Sequence, residues 1–174
     1  MSSDTTSGEP RILDYGPERL IGISRICKTP EDCHNVWADE NGFLARAAEI
    51  HVRAGQTPSY GLCRCTVGAQ DGAFEYMAAA PAADGAPVPE GMAEIIIPAG
   101  SYAEFPVAGL SDIGQMWGYT GEWLAANPKW KGFCDNNPDG CGCVDSPSFE
   151  LYPPGFDGTG ELFIYVRIRP SSGK

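Results

Sequence analysis

The chain has 174 residues, 43% of them hydrophobic and 20% charged, a size and balance that suit one globular domain with its own core. Twelve basic against 23 acidic residues leave a formal charge of −11, which repels a phosphate backbone and argues against direct nucleic-acid binding. No run approaches the ~18 apolar residues of a membrane span, and no basic patch followed by an apolar stretch opens the sequence, so a cytoplasmic protein without a membrane partner is expected.

Residues 1–9 and 171–174 lack apolar periodicity and read as loose tails. From Arg11 to Ile26 the sequence predicts a strand interrupted by a bend at Gly16-Pro17, with β-branched residues alternating after the turn. Thr29-Pro30-Glu31-Asp32 is a helix start, with a capping hydroxyl, a proline in the first turn and acids against the dipole. Val36, Phe43, Ala47 and Ile50 then recur at helical spacing, and Gly55 closes the run. Two short strands follow, Tyr60 to Thr66 and Phe74 to Ala79, across a polar, glycine-rich turn.

A linker of Ala, Pro, Gly and Asp then divides the chain, and the same order of elements returns. It comprises a strand from Ala93 to Val107, a helix from Ser111 to Ala126 capped by Ser111, and strands Phe149 to Tyr152 and Glu161 to Arg169. The implied fold is α+β, a tandem of β-α-β-β modules over residues 10–80 and 92–170, joined by residues 81–91. Both helices should cover one face of a shared antiparallel sheet. The segment Lys131 to Pro147 exceeds ordinary loop length and reads as a lid, a specificity loop or a tolerated insertion.

In the last strand Leu162, Ile164, Val166 and Ile168 alternate with Glu161, Phe163, Tyr165, Arg167 and Arg169, so the aliphatic set should face the helices. Phe149 and Leu151 likewise alternate with Glu150 and Tyr152. Combined, the two strands are expected to present two carboxylates and three aromatics on the face away from the helices, a surface suited to a flat organic cation or, equally, to solvent. Trp117, Tyr119 and Trp123, at helical spacing, read as core or as ligand contacts; Trp37 holds a similar place in the first helix. Tyr60 and Tyr76 are weaker candidates, and Glu75 and Glu94 read as exposed. The seven cysteines are an odd count without a C-x2-C pair, so reduced thiols, no metal and no cofactor are expected; His34 and His51 do not complete a ligand set.

The motifs Ile97-Pro-Ala-Gly-Ser-Tyr-Ala-Glu-Phe105, Trp123-Leu124, Phe149-Glu-Leu-Tyr152 and Glu161-Leu-Phe-Ile-Tyr-Val166, in this order, resemble the GyrI-like effector-binding family. That resemblance implies duplicated SHS2-like modules with a ligand cleft between them, as in multidrug-responsive transcription regulators, here without room for a helix-turn-helix. It implies a hydrophobic or cationic small-molecule partner. By motif matching, Glu150 or Glu161 lies at the pocket floor, with Tyr152, Phe163, Trp117, Tyr119, Trp123, Trp37 and Tyr60 as candidate ligand contacts. It also raises a hydrolase of cyclopropane-containing toxins, in which Glu161 or Glu150 would serve as base or nucleophile. A third reading is an interaction module whose acidic, aromatic sheet face docks a partner or a second copy as a homodimer. The cysteine-rich stretch from Asp135 to Cys143 departs from the family pattern, and Arg167 shares the parity of Glu161 and could neutralise a carboxylate, which would weaken the case for a cation.

Overall fold

The computed structural model describes residues 8–64, 72–133 and 146–172; Cys65 and the cysteine-rich stretch from Asp135 to Cys143 lie outside them. Nine strands form one antiparallel sheet: β1 (Arg11–Tyr15), β2 (Glu18–Cys27), β3 (Ser59–Arg64), β4 (Phe74–Pro81), β5 (Ala93–Ile97), β6 (Gly100–Val107), β7 (Trp130–Gly132), β8 (Ser148–Tyr152) and β9 (Leu162–Pro170). Their order is β1-β6-β9-β8-β3-β4-β2-β5, with the short β7 added beside β9. The order reads the same from either end when β1, β2, β3 and β4 are exchanged with β5, β6, β8 and β9.

The sheet curls because its two long arms bend and pair with each other. The register of β1 on β6 continues without a slip into that of β2 on β5: Arg11 lies opposite Glu104, Tyr15 opposite Gly100, Glu18 opposite Ile97 and Gly22 opposite Ala93. The interruption expected at Gly16-Pro17 is present, and the strand expected to run unbroken from Ala93 to Val107 is interrupted as well, at Pro98-Ala99. The two breaks fall opposite each other in the ladder. Gly16 has a φ of 78°, and a Cβ there would sit 2.8 Å from the Pro98 carbonyl oxygen, so this crossing needs glycine.

Helix α1 (Pro30–Ala38) starts as its sequence predicts. The Thr29 side chain accepts from the Asp32 N–H, and the Asp32 carboxylate accepts from the N–H groups of Thr29 and Lys28. The helix expected to continue to Ile50 instead breaks into α2 (Phe43–Arg46) and a 3₁₀ turn (Ala47–Glu49). Asp39 causes the break, since its carboxylate accepts from the Asn41 N–H at 2.7 Å and pairs with Arg25 at 2.8 Å, a local turn that competes with helix. Helix α3 (Ile113–Ala126) follows a 3₁₀ turn (Leu110–Asp112), so the expected Ser111 cap is not used; Asp112 occupies the cap position without a side-chain hydrogen bond.

Both sheet faces are cores. On one, Ile21, Ile23, Tyr76, Ala78 and Ala80 pack with Val36 of α1 and Phe43 of α2, while Phe105, Leu162, Ile164 and Val166 pack with Met116 and Trp123 of α3. On the other, Tyr60, Tyr102, Phe149 and Tyr165 pack with Leu20, Leu62 and Ile97. The expectation of an open, ligand- or partner-facing sheet surface is therefore corrected: the curl folds that face onto itself, leaving Phe149 0% and Tyr165 5% exposed. No helix is long and apolar enough to cross a membrane.

Candidate functional site

Strand pairing decides which candidates meet. Glu150 lies opposite Ile164 and Phe149 opposite Tyr165, and residues directly opposite in an antiparallel pair share a face. Glu150 and Tyr152 therefore face the helices, while Phe163 and Tyr165 face the second core. The expectation of one surface carrying Glu150, Tyr152, Glu161, Phe163 and Tyr165 is wrong, because alternation within each strand leaves the phase between strands free. Phe149 stacks on Tyr165 at 4.9 Å, and Tyr60 bonds Tyr15, all within the second core.

Under the helices, Glu150 is 5% exposed and accepts three hydrogen bonds. Tyr152 donates from its hydroxyl to Oε2 at 2.6 Å, Tyr76 to the same oxygen at 2.8 Å, and the Trp117 indole to Oε1 at 3.0 Å. The Trp37 indole donates in turn to the Tyr76 hydroxyl at 2.9 Å. Four elements thus converge on one carboxylate: α1 brings Trp37, β4 Tyr76, α3 Trp117 and β8 the acid and Tyr152. Trp37 also meets Tyr152 edge-on at 5.2 Å, and Phe156 lies 5.2 Å from Tyr152. Both indoles are half-buried, so they form the outer wall over a buried polar floor.

The three donors suit the charged acid. An indole N–H can only donate, so Trp117 requires an acceptor at Oε1; the Tyr76 hydroxyl, which accepts from Trp37, donates to Oε2. Burial raises the Glu150 pKa, and the hydrogen bonds from Tyr152, Trp117 and Tyr76 oppose it in that order, with burial the stronger influence. Burial likewise drives the Tyr76 and Tyr152 phenols up, aided by the Glu150 charge, so both stay protonated donors. None of the ion pairs among the described residues involves Glu150. Cys33 on α1 feels the same carboxylate, and burial pushes its thiol up to about 12.

The remaining candidates lie elsewhere. Glu161 falls just before β9, exposed, and with Tyr119 lines a separate groove of about 650 Å³ beside α3, together with Asp112, Met116 and Glu122. Trp123 is core, edge-on to Phe105 at 5.6 Å, and donates to Glu9 at 3.3 Å. Arg167 does not neutralise Glu161; it bonds Ser146 at 2.5 Å and stacks over Phe133 at 4.2 Å. Glu75, expected to be exposed, is half-buried and bound by Arg64 and Ser24. Tyr76, ranked low from sequence, is a direct partner of the acid; its signal is the run Tyr76, Ala78, Ala80, whose small residues leave space under the helices. Among the described residues no cluster of His, Cys, Asp or Glu could hold a metal ion.

Comparison with known proteins adds to this geometry. The profile of the Cass2 family, integron-associated effector binding protein, matches residues 11–168. No curated protein matches in sequence. Among solved structures, an integron cassette protein from the mobile metagenome of Vibrio cholerae superposes with a TM-score of 0.57 at 13% identity, covering 92% of this chain and 96% of its own. A candidate bacterial transcription regulator from Staphylococcus aureus MU50 does so at 0.60 with 16% identity, covering 92% and 98%. SAV2435 bound to tetraphenylphosphonium does so at 0.63 with 15% identity, covering 93% and 94%. At these identities the likeness establishes the fold.

Proposed function

Since the chain belongs to the Cass2 family of integron-associated effector binding proteins, a GyrI-like effector-binding domain, we propose that it holds a hydrophobic organic cation against Glu150 in a cleft between tandem β-α-β-β modules. The observation that carries this reading is the carboxylate itself, buried, fully supplied with donors suited to its charged form, and without a cationic partner among the ion pairs of the described residues. A buried charge is costly unless paired. A ligand cation supplies the missing partner, and the rings of Trp37, Trp117, Tyr152 and Phe156 supply faces on which such a cation is attracted. To reach Glu150 the ligand displaces the two indoles, which sit at the outer wall.

Binding is favoured over hydrolysis because the family is one of effector binding proteins, and binding asks of the site only shape and one counter-charge, whereas hydrolysis also needs a near-attack geometry. The test is calorimetric titration with tetraphenylphosphonium, the compound that SAV2435 holds, on the native chain and on Glu150→Gln. Loss of the counter-charge should weaken binding at least about tenfold, or about 1.4 kcal/mol, with intact ligand recovered afterwards. Equal affinity in the two proteins, or no binding by the native chain, contradicts the reading.

A further inference from the structure

The internal symmetry of the strand pairing passes through the site. Ile23 and Phe105 stand at matching distances beyond the two facing breaks in the long ladder. From Ile23 the pairings lead to Ala78 and on to Gly61; from Phe105 they lead to Ile164 and on to Glu150. Gly61 and Glu150 therefore occupy equivalent places in the two halves. They are also direct partners across β3 and β8. A local two-fold thus runs between these two residues and, at the far side of the curled sheet, between the facing breaks.

On such an axis the two equivalent side chains point to the same face and compete for one volume. A Cβ added at Gly61 would fall within contact distance of both the Tyr76 hydroxyl and Glu150 Oε2, 2.5 Å from the latter. The Gly61 φ is not in the left-handed region, so backbone conformation does not call for glycine here. Occupied space does.

We infer that Gly61 is a positioning residue for the site, its missing side chain being the space in which the Tyr76 hydroxyl and the Glu150 carboxylate meet. One half of the fold contributes the acid and the other the room for it. This breaks the symmetry and gives the site a single carboxylate, the counter-charge for one monovalent cation per chain. The inference deepens the proposed function, and its cation stoichiometry rests on that reading; the positioning role does not.

The experiment is a double-mutant cycle with Gly61→Ala and Tyr76→Phe, read in two ways. In ligand-free protein, carbon-detected NMR follows the titration of the Glu150 carboxyl, assigned with Glu150→Gln; Gly61→Ala should shift its midpoint. With tetraphenylphosphonium, Gly61→Ala should reduce affinity at least about tenfold, and a smaller loss is expected for the same change in the Tyr76→Phe background, where one of the two obstructing oxygens is gone. An unshifted Glu150 titration, or additive effects in the cycle, overturns the inference. If native protein ignores tetraphenylphosphonium while Gly61→Ala still shifts the titration, the proposed function fails and the positioning role stands. Should Gly61→Ala not fold, recovery of folded protein when Tyr76→Phe and Glu150→Ala are added together, which removes both obstructing oxygens, supports the inference, and continued failure overturns it.

Discussion

At Glu150 the sign of the pH dependence follows from the cause of its pKa shift. Burial raises the carboxyl above the ~4.3 of an unfolded chain, so folding favours protonation of Glu150 relative to the unfolded chain. The stability Glu150 contributes is complete below the unfolded value and is lost as pH rises through the folded one. Glu75 beside Arg64 and Asp39 beside Arg25 are shifted down, so their contributions have the opposite sign and are lost in acid. Comparing native protein with Glu150→Gln cancels those groups. The melting-temperature difference between the two should move in favour of the variant as pH rises through the Glu150 transition. Ligand affinity runs the other way. A cation pairs with the ionised acid, so tetraphenylphosphonium binding should weaken about tenfold per pH unit below the raised pKa and level off above it, with Glu150→Gln flat throughout. Calorimetry in buffers of different ionisation enthalpy checks this, since binding near the transition must release a proton. A flat native profile would remove the carboxylate from the binding step.

In the proposed site helix α1 carries Trp37, and a capping box closes the start of that helix. The Thr29 hydroxyl and Asp32 carboxylate satisfy N–H groups that would otherwise lack partners, and both are exposed enough to alter without disturbing the core. Thr29→Ala should therefore cost about 1 kcal/mol in urea denaturation, with a larger fractional loss of protection for α1 amides than for α3 amides in hydrogen exchange. Uniform loss across both helices would mean α1 has no separate stability. This cap was legible in the sequence because capping is local. The break at Asp39 was not, since the local turn onto Asn41 is joined by an ion pair with Arg25 reaching across from β2. The same distinction separates success from failure at the site. Glu150 with Tyr152, and Trp37 and Trp117 as aromatics on helices, could be read along the chain. Whether Glu150 shares a face with Tyr165 or with Ile164 depends on how β8 registers against β9, which neither strand encodes alone.

For the whole molecule, the repeat of elements in the sequence suggested tandem modules, but nothing local announced that the long arms β1–β2 and β5–β6 would pair and curl the sheet shut over Tyr60, Phe149 and Tyr165. Closure has a consequence for ligand capture. With one aromatic face sealed, the wall over Glu150 is reached from a surface whose net charge is strongly acidic, −11 over the chain. Such a field raises the local concentration of cations and steers their approach, and salt screens it over about 10 Å at 0.1 M. The buried contact with Glu150 is screened much less. Raising ionic strength from about 0.02 M to about 0.5 M should therefore slow tetraphenylphosphonium association several-fold and leave dissociation nearly unchanged. Stopped-flow fluorescence of the indoles at Trp37 and Trp117 reads both rates. A neutral tetraphenyl compound of the same shape provides the control: its association should not slow with salt, and if it slows equally, the effect belongs to the solvent and not to the protein's charge. If instead salt accelerates dissociation of the cation, the bound charge lies at the surface, and Glu150 is not its partner.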